Sequence, residues 1–259
     1  MNETIRINKV KEQKGFTLAE VLITIGIIGI VAAMTLPSLI NNQKNKVLQT
    51  ALKKAYSRHS EALILVKADA GVDNLYDEFR VYQKEDSSKD YYYRAKEFTE
   101  MYKSKLNVIG SCKYNKAPRT YTNNKEAIVD IGGVTEPSWF LSDGTCAEIL
   151  INGGRVGLTV DVNGAGKGPN RFGHDLFLFW VNTKGVLEPL KMSKLYSKEE
   201  QDDFTSQGKP VSDGWKGQLG EPCSAKSEQA GNGMGCTWYA LNDISPDDSS
   251  ARYWENLPK

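Results

Sequence analysis

The chain has 259 residues, enough for one substantial globular domain besides shorter segments. Its 33 lysines and arginines nearly balance its 32 aspartates and glutamates, and they do not form a basic stripe. This balance argues against duplex nucleic acid as a main ligand, so we predict no specific nucleic-acid partner.

A long apolar segment follows the N-terminus. It runs from Phe16 to Ile40, and at about 1.5 Å per residue a helix of that length crosses a bilayer. The first fifteen residues hold four basic side chains against two acidic ones. Such a positive flank stays in the cytoplasm and sends the rest of the chain across, so we predict a single-pass topology with the N-terminus inside.

The apolar segment differs from an ordinary secretory signal. Such a signal has an apolar core of about 7–15 residues followed by a small-residue cleavage site, and the core is then lost. Here the run is longer, and its candidate site at Ala32-Ala33 lies inside it. We therefore expect the helix to remain in the mature protein. The alternative is an uncleaved signal anchor.

One carboxylate, Glu20, lies inside the apolar segment. A charge within such a span costs about 2.5–3.5 kcal/mol on insertion scales, so it requires a role. The residues around it, 14–20, read KGFTLAE. This stretch resembles the N-terminus of type IV prepilins and type II secretion pseudopilins, and the resemblance covers roughly residues 9–65.

The resemblance implies a scheme of processing and assembly. A prepilin peptidase would cut after Gly15, remove residues 1–15 as a leader and methylate the new N-terminal amine of Phe16. In a packed helical bundle, Glu20 of one subunit would neutralise that amine on a neighbour. Two buried charges that are each costly alone become tolerable as a pair. The pairing would set the axial register that a filament needs.

The helix is predicted to continue beyond the apolar segment, because six residues at spacings of four and three form one stripe: Leu48, Leu52, Ala55, His59, Ala62 and Val66. We predict a single helix from about Phe16 to Ala68, ending at Gly71. It is lipid-soluble over residues 16–40 and amphipathic over residues 41–71. Pro37 lacks a backbone donor and should kink or loosen the junction. Pilins share this architecture, and many carry a proline near this point.

Residues 72–259 are predicted to form an exported globular domain. A second, shorter helix keeps one apolar face, formed by Tyr91, Ala95, Phe98, Tyr102 and Leu106. From about Ala127, short β-type runs alternate with turns rich in Gly, Asp and Asn, as in an antiparallel meander. We expect an α+β, pilin-like fold with the long helix packed on the sheet. From Lys191 onward the composition predicts a looser tail.

The four cysteines all fall on the side predicted to be exported: Cys112, Cys146, Cys223 and Cys236. An even count in an exported domain suggests two disulfides, with three possible connectivities. The short Gly-, Ser- and Asn-rich loop from Cys223 to Cys236 orders itself poorly and gains from a crosslink. We therefore favour Cys223–Cys236 with Cys112–Cys146, over free thiols.

A glycine-rich loop between two predicted strands carries four oxygen-bearing side chains: Asp161, Asn163, Asn170 and Asp175. Calcium takes six to eight such oxygens, and some pseudopilins hold calcium in a loop of their β-region. Phe172 stands where an EF-hand requires Glu, so an EF-hand is excluded. The other reading is that these residues cap turns. We expect no required cofactor, with Ca²⁺ as a candidate ligand.

Catalytic signatures are weak. His59 lies on the packed stripe of the helix, and His174 merely adjoins Asp175 in the sequence. The sequence contains neither a G-x-S-x-G elbow nor a P-loop or dinucleotide fingerprint. We expect a substrate of processing enzymes rather than an enzyme.

The resemblance implies a structural subunit, a pilin or pseudopilin, of a type IV pilus-like filament for adhesion, motility, DNA uptake or protein secretion. Its partners would be copies of itself, other pilins, prepilin peptidase and an inner-membrane assembly platform. It would lie in the cytoplasmic membrane and then in a filament or at the cell surface. The alternative is an exported binding protein or adhesin that stays anchored by one span and does not polymerise.

Overall fold

The computed structural model describes residues 15–75, 79, 88–114, 117–127, 134–135, 138–152, 155–182, 184–191 and 222–258. The chain divides into two compact units, one ending at Gln43 and the other beginning at Lys44. The boundary falls within the first helix.

Helix α1 extends over Leu18–Ala70 and includes Pro37. The predicted single long helix is confirmed, while the kink at Pro37 stays a prediction. The helix ends at Gly71, whose φ of 65° is a left-handed conformation that glycine adopts without steric cost. Gly71 donates its N–H to the Ala68 carbonyl and Val72 donates to the Lys67 carbonyl. These two bonds form a Schellman motif, which satisfies the last carbonyls of the helix.

The second half of α1 packs through the predicted stripe, and the structure adds Leu63 to it. The buried residues are Leu52, Ala55, His59, Ala62, Leu63 and Val66, and Leu48 is half-buried against them. Helix α2 extends over Ser88–Ser104. Its predicted apolar face is confirmed at Phe98 and Tyr102, and Leu106 just beyond it is buried as well. The side chains of Tyr91 and Ala95 lie outside the described residues.

In the part of the chain that the structure describes, seven strands form one antiparallel sheet: β1 Val108–Ser111, β2 Val134–Thr135, β3 Trp139–Leu141, β4 Cys146–Asn152, β5 Arg155–Asp161, β6 Leu176–Val181 and β7 Leu187–Pro189. The order is β1-β3-β4-β5-β6-β7, and β2 pairs with β4. The predicted meander is therefore confirmed from β3 to β7. The predicted run over residues 127–131 falls outside the described residues from 128 onward.

Strand β6 explains how the sheet is covered on both faces. Successive side chains of a strand point to opposite faces, and every residue of this strand is apolar. Phe177 and Phe179 join the main core with α1, where Tyr56 stacks on Phe179 at 5.8 Å between ring centroids. Leu176 and Leu178 join a second, smaller core. A continuous apolar run is the pattern expected of a strand buried on both sides.

The end of the chain is packed more tightly than its composition predicts. Residues 222–258 include a 3₁₀ turn, Met234–Cys236, and helix α3, Thr237–Asn242. Tyr253 and Trp254 lie in the main core, and the Thr237 hydroxyl donates to the Leu178 carbonyl. The expectation of a looser tail is wrong for these residues, because a few large side chains anchor a polar segment. Residues 192–221, including Trp215, lie outside the described residues.

All four cysteines are paired in the connectivity that the sequence favours. Cys112–Cys146 joins the segment after β1 to the first residue of β4, with Cα atoms 6.1 Å apart. Cys223–Cys236 closes the short loop before α3, with Cα atoms 4.9 Å apart. The first pair closes the longer loop, with a sequence separation of 34 against 13, so it restricts the unfolded chain more strongly.

Candidate functional site

The first half of α1 presents apolar side chains outward. Phe16 is 88% exposed, and large apolar side chains remain exposed through Ile40, whereas the described core begins only at Leu52. By length and composition this helix is suited to crossing a membrane, and it is the one such helix among the described residues. An apolar surface of this length is stable only against lipid or other apolar helices.

Glu20 is held by Thr17 at the start of this helix. The Thr17 backbone N–H and hydroxyl each donate to Glu20 Oε2 at 2.8 Å, and Glu20 N–H donates to Thr17 Oγ1 at 3.2 Å. This reciprocal arrangement is a capping box, in which two otherwise unpaired N–H groups at a helix start are satisfied. The capping box was not among the features predicted from the sequence, although Thr-x-x-Glu before an apolar run is its recognised signature.

The capping box lowers the free-energy cost of placing the Glu20 carboxylate in an apolar span. A charge near the end of an apolar span is less costly when it accepts hydrogen bonds from the chain itself. Both donors belong to Thr17, so removal of everything before Phe16 would leave them in place. Gly15 and Phe16, the predicted processing residues, immediately precede the cap, and the rest of the leader, residues 1–14, lies outside the described residues.

The second candidate site is the loop that joins β5 to β6, residues 162–175, together with Asp161. Asp161 is the last residue of β5 and is in register with Leu176, the first residue of β6. Val162 N–H donates to the Asp175 carbonyl at 2.8 Å. The structure therefore brings Asp161 and Asp175 to the same end of adjacent strands. Both residues are fully buried.

Each carboxylate caps a turn of this loop. Asp161 Oδ1 accepts the N–H groups of Asn163 and Gly164 at 3.1 and 2.8 Å. Asp175 accepts the N–H of Asn170 at Oδ2 and that of Arg171 at Oδ1, at 2.9 and 2.8 Å. The turn-capping reading of these residues is therefore confirmed, and it leaves other oxygens of the loop unused.

The two asparagines close the loop through their amide nitrogens. Asn163 Nδ2 donates to the Gly168 carbonyl at 2.9 Å, and Asn170 Nδ2 donates to the Ala165 carbonyl at 3.1 Å. Both bonds use the amide nitrogen of the asparagine and do not involve its amide oxygen. Asn163 Oδ1 and Asn170 Oδ1 are buried and have no hydrogen-bond partner among the described residues. A hydrogen bond between the Tyr114 hydroxyl and the Asp161 carboxylate opposes the rise that burial causes in the pKa of Asp161.

Burial and mutual repulsion dominate the electrostatics of this loop. Burial, and then the charge of Asp175, raise the pKa of Asp161 to about 7. Burial also raises the pKa of Asp175, although the N–H groups of Arg171 and Asn170 oppose it. Burial raises the pKa of the Tyr114 hydroxyl, and the charge of Asp161 adds to this. Tyr114 was not among the residues predicted for this loop; it lies two residues after Cys112, and the Cys112–Cys146 disulfide holds that segment beside the loop.

Neither histidine is charged near neutral pH. Burial, and then the charge of Arg58, lower the pKa of His59 to about 3. Burial, and then the charge of Arg171, lower the pKa of His174 to about 3. His174 Nε2 lies 3.1 Å from the Tyr121 carbonyl and so donates to it. Both rings serve packing and hydrogen bonding in the described core.

Comparison with known proteins identifies the N-terminal feature. The family model for the prokaryotic N-terminal methylation motif matches residues 10–36. This is the prepilin-type motif of type IV pilins and pseudopilins. No curated protein and no solved structure matches the chain. The motif therefore supports a pilin-like or pseudopilin-like protein, and it covers the segment that contains Gly15, Phe16 and Glu20.

Proposed function

We propose that this chain is a structural subunit of a type IV pilus-like filament. The observation that carries the proposal is the methylation motif over residues 10–36, placed at the start of a bare apolar helix. The proposed pathway is cleavage after Gly15, methylation of Phe16 and extraction of the subunit from the cytoplasmic membrane by an assembly platform. Copies of the chain and other pilins are the proposed partners.

Assembly would transfer the apolar surface of α1 from lipid to the core of the filament. In the membrane, lipid covers the exposed side chains between Phe16 and Ile40. In a filament, the same side chains of neighbouring helices cover one another. Because lipid and helix surfaces are equally apolar, packing and polar pairing decide the balance. Glu20 supplies the polar pairing in this proposal, by binding the positive amine of Phe16 on an adjacent subunit.

The capping box prepares Glu20 for this pairing. The backbone N–H and the hydroxyl of Thr17 both donate to Oε2 of the carboxylate. These bonds partly compensate the charge of Glu20 before the subunit leaves the membrane. Among the described residues, the hydrogen bonds to Glu20 all reach Oε2, so Oε1 is the oxygen proposed to accept a cation from a neighbour. The Glu20 side chain can therefore cap α1 in the monomer and bind a neighbouring amine in the filament in the same conformation.

Replacement of two residues tests the proposal in the native host. Gly15→Ala should block processing, so the intact mass should correspond to a chain that starts at Met1. Glu20→Ala should be processed and inserted but should lower its share of the sheared filament fraction by about tenfold or more. A buried pair worth more than about 1.4 kcal/mol produces a change of that size. Mass spectrometry and immunoblotting of the fractions measure both effects.

Two conservative variants serve as controls. Gly26→Ala repeats the glycine-to-alanine change inside the helix, where an added Cβ meets nothing within 4 Å. Thr24→Ala removes a hydroxyl that bonds only to the Val21 carbonyl of its own helix. Both should be processed and assembled normally. A wild-type chain that keeps Met1, or normal assembly of Glu20→Ala, would contradict the proposal and favour a membrane-anchored binding protein or adhesin.

A further inference from the structure

The part of α1 that follows the apolar segment is basic and lacks acidic residues. Residues 41–46, which we call the polar collar, read NNQKNK and come directly after that segment. Between Glu20 and Glu61 the sequence contains five lysines and arginines but no aspartate or glutamate. Lys44 and Lys46 therefore have no acidic neighbour three or four positions away, where a helix would otherwise form an ion pair.

The basic side chains of this part of α1 differ in whether the folded chain supplies an anion for them. Arg58 Nη1 and Lys54 Nζ lie 2.6 and 3.9 Å from Asp143 Oδ2. Lys44 and Lys46, in the polar collar, are exposed and form no ion pair with any of the described residues. The two charges nearest to the apolar segment therefore lack an anionic partner within the described chain.

The position of the polar collar along α1 matches the headgroup layer of a membrane. At about 1.5 Å per residue, Lys44 and Lys46 follow Ile40 by about 6 and 9 Å along the helix. A headgroup layer extends about 5–8 Å beyond the hydrocarbon core on each side of a bilayer. A lysine side chain can also bend toward this layer while its stem lies on apolar surface. Both charges are therefore at the depth of lipid phosphates when the apolar segment spans the bilayer.

The arrangement of the two lysines around the helix favours lipid over an acidic protein surface. Because they are two positions apart, Lys44 and Lys46 point about 200° away from each other around α1. A folded partner contacts one side of a helix, whereas lipid headgroups surround it. Between the two lysines, Asn45 Nδ2 donates to the Trp254 carbonyl at 2.7 Å. This bond attaches the turn that carries both charges to the globular unit.

We propose that the polar collar binds anionic lipid headgroups of the phosphatidylglycerol type through Lys44 and Lys46. The two ammonium groups contact the lipid phosphates, and the exposed amides of Asn41, Asn42 and Gln43 add hydrogen-bond donors. Basic side chains next to a membrane span are attracted to anionic headgroups in this way. The inference rests on the membrane stage of the proposed function and does not require a filament. The bound headgroups hold this part of α1 at the membrane surface until the subunit is extracted.

The test measures which lipids surround the full chain in a bilayer. The chain is reconstituted in phosphatidylcholine vesicles with a trace of spin-labelled phosphatidylglycerol or of spin-labelled phosphatidylcholine. Electron spin resonance then measures the fraction of each probe that the protein immobilises. In about 0.1 M NaCl the phosphatidylglycerol probe should be preferred by about twofold or more, and in about 1 M NaCl the preference should disappear. Equal immobilisation of both probes in about 0.1 M NaCl would overturn the proposal.

Two double variants separate binding at the polar collar from an effect of net charge. Lys44→Gln/Lys46→Gln should abolish the preference for phosphatidylglycerol. Lys53→Gln/Lys54→Gln is the matched control, because it removes two exposed charges from the same helix about 20 Å beyond Ile40. That distance exceeds the headgroup layer by more than the screening length of about 10 Å, so the preference should stay nearly unchanged. Glutamine has nearly the helix propensity of lysine, so α1 should persist in both variants.

Two results with these variants would contradict the collar as the lipid site. The first is a preference for phosphatidylglycerol that survives in Lys44→Gln/Lys46→Gln. The second is an equal loss of preference in Lys53→Gln/Lys54→Gln, which would show that the lipid responds to net charge alone. Both measurements use the chain in a bilayer, whereas processing and the filament fraction test the proposed function. A failure of lipid binding is therefore distinguishable from a failure of filament assembly.

Discussion

His59 is the polar residue within the apolar stripe of α1. It is fully buried, and its Nδ1 lies 2.6 Å from the Tyr102 hydroxyl of α2, with the two rings stacked at 6.0 Å. The preceding residue, Arg58, forms an ion pair with Asp143 at 2.6 Å. The histidine therefore joins the two helices. Burial, and then the charge of Arg58, oppose a positive charge on its ring, and Asp143 offsets part of this effect. We expect it to stay neutral in the folded protein.

This residue predicts a pH dependence of stability. The pKa of His59 is about 3 in the folded state and about 6.5 when unfolded, so between these values the unfolded chain binds more protons. The free energy of unfolding should therefore fall as the pH falls below about 6.5, by up to about 1.4 kcal/mol per pH unit. His59→Phe should remove this contribution. Urea unfolding of both proteins between about pH 6.5 and pH 4 measures the difference in slope.

The double variant His59→Phe/Tyr102→Phe is the control for the lost hydrogen bond. His59→Phe alone strands the buried Tyr102 hydroxyl, which costs about 1–3 kcal/mol at neutral pH. Removal of both polar groups should restore most of that loss and keep the flattened slope. An unchanged slope in both variants would contradict the neutral, buried histidine. Asp161, whose raised pKa acts in the opposite direction, is common to all three proteins and cancels.

At the scale of elements, the β5–β6 loop depends on Gly164. Its φ is 85°, and a Cβ at this position would lie 2.6 Å from the Gly144 carbonyl oxygen in the β3–β4 turn. Two connections of the sheet are therefore in backbone contact, which only glycine permits. The sequence shows the glycine but not the contact, because Gly144 and Gly164 approach only after β4 and β5 have paired.

Gly164→Ala should destabilise the fold, and Gly166→Ala in the same loop should not. The first change introduces backbone strain and a clash, so we expect a loss of at least about 1–3 kcal/mol in the free energy of unfolding. The second adds a methyl group where nothing lies within 4 Å, so its effect should stay within about 0.5 kcal/mol. Chemical denaturation measures both. Equal stabilities would show that the two turns are not in contact.

At the scale of the whole molecule, the buried core and the exposed apolar helix belong to different units. Every buried apolar residue of the described chain lies at Leu52 or beyond, whereas large apolar side chains are exposed from Phe16 to Ile40. The unit that begins at Lys44 therefore contains a complete core with both disulfides. We therefore expect its stability not to depend on lipid.

A fragment of residues 44–259 should consequently fold without detergent. We expect a soluble protein that unfolds cooperatively in urea and loses about 2–4 kcal/mol of stability when one disulfide is removed by a Cys→Ala pair. Circular dichroism and sedimentation measure folding and solubility. The full chain, with its apolar helix, should require detergent under the same conditions. Aggregation of the fragment would contradict the separation of the core from the helix.

Local patterns in the sequence determine the long helix, most of the strands and the N-terminal motif. The apolar run, the stripe from Leu48 to Val66 and the strands from β3 to β7 follow from period and composition, because each depends on residues close together in the chain. The motif around Gly15 and Glu20 is equally local, and the methylation-motif match bears it out. The favoured cysteine pairs agree with the structure. They could be predicted because Cys223 and Cys236 lie close in sequence, which leaves Cys112 and Cys146 as the other pair.

Only the tertiary structure decides the remaining features. The packing of Tyr253 and Trp254 into the core, the approach of Tyr114 to Asp161 and the contact between Gly144 and Gly164 all join distant segments. The same is true of the loop oxygens, since an unpaired acceptor is recognised only after every donor around it has been placed. Composition reports which groups are present, whereas their partners depend on which segments the folded sheet brings together.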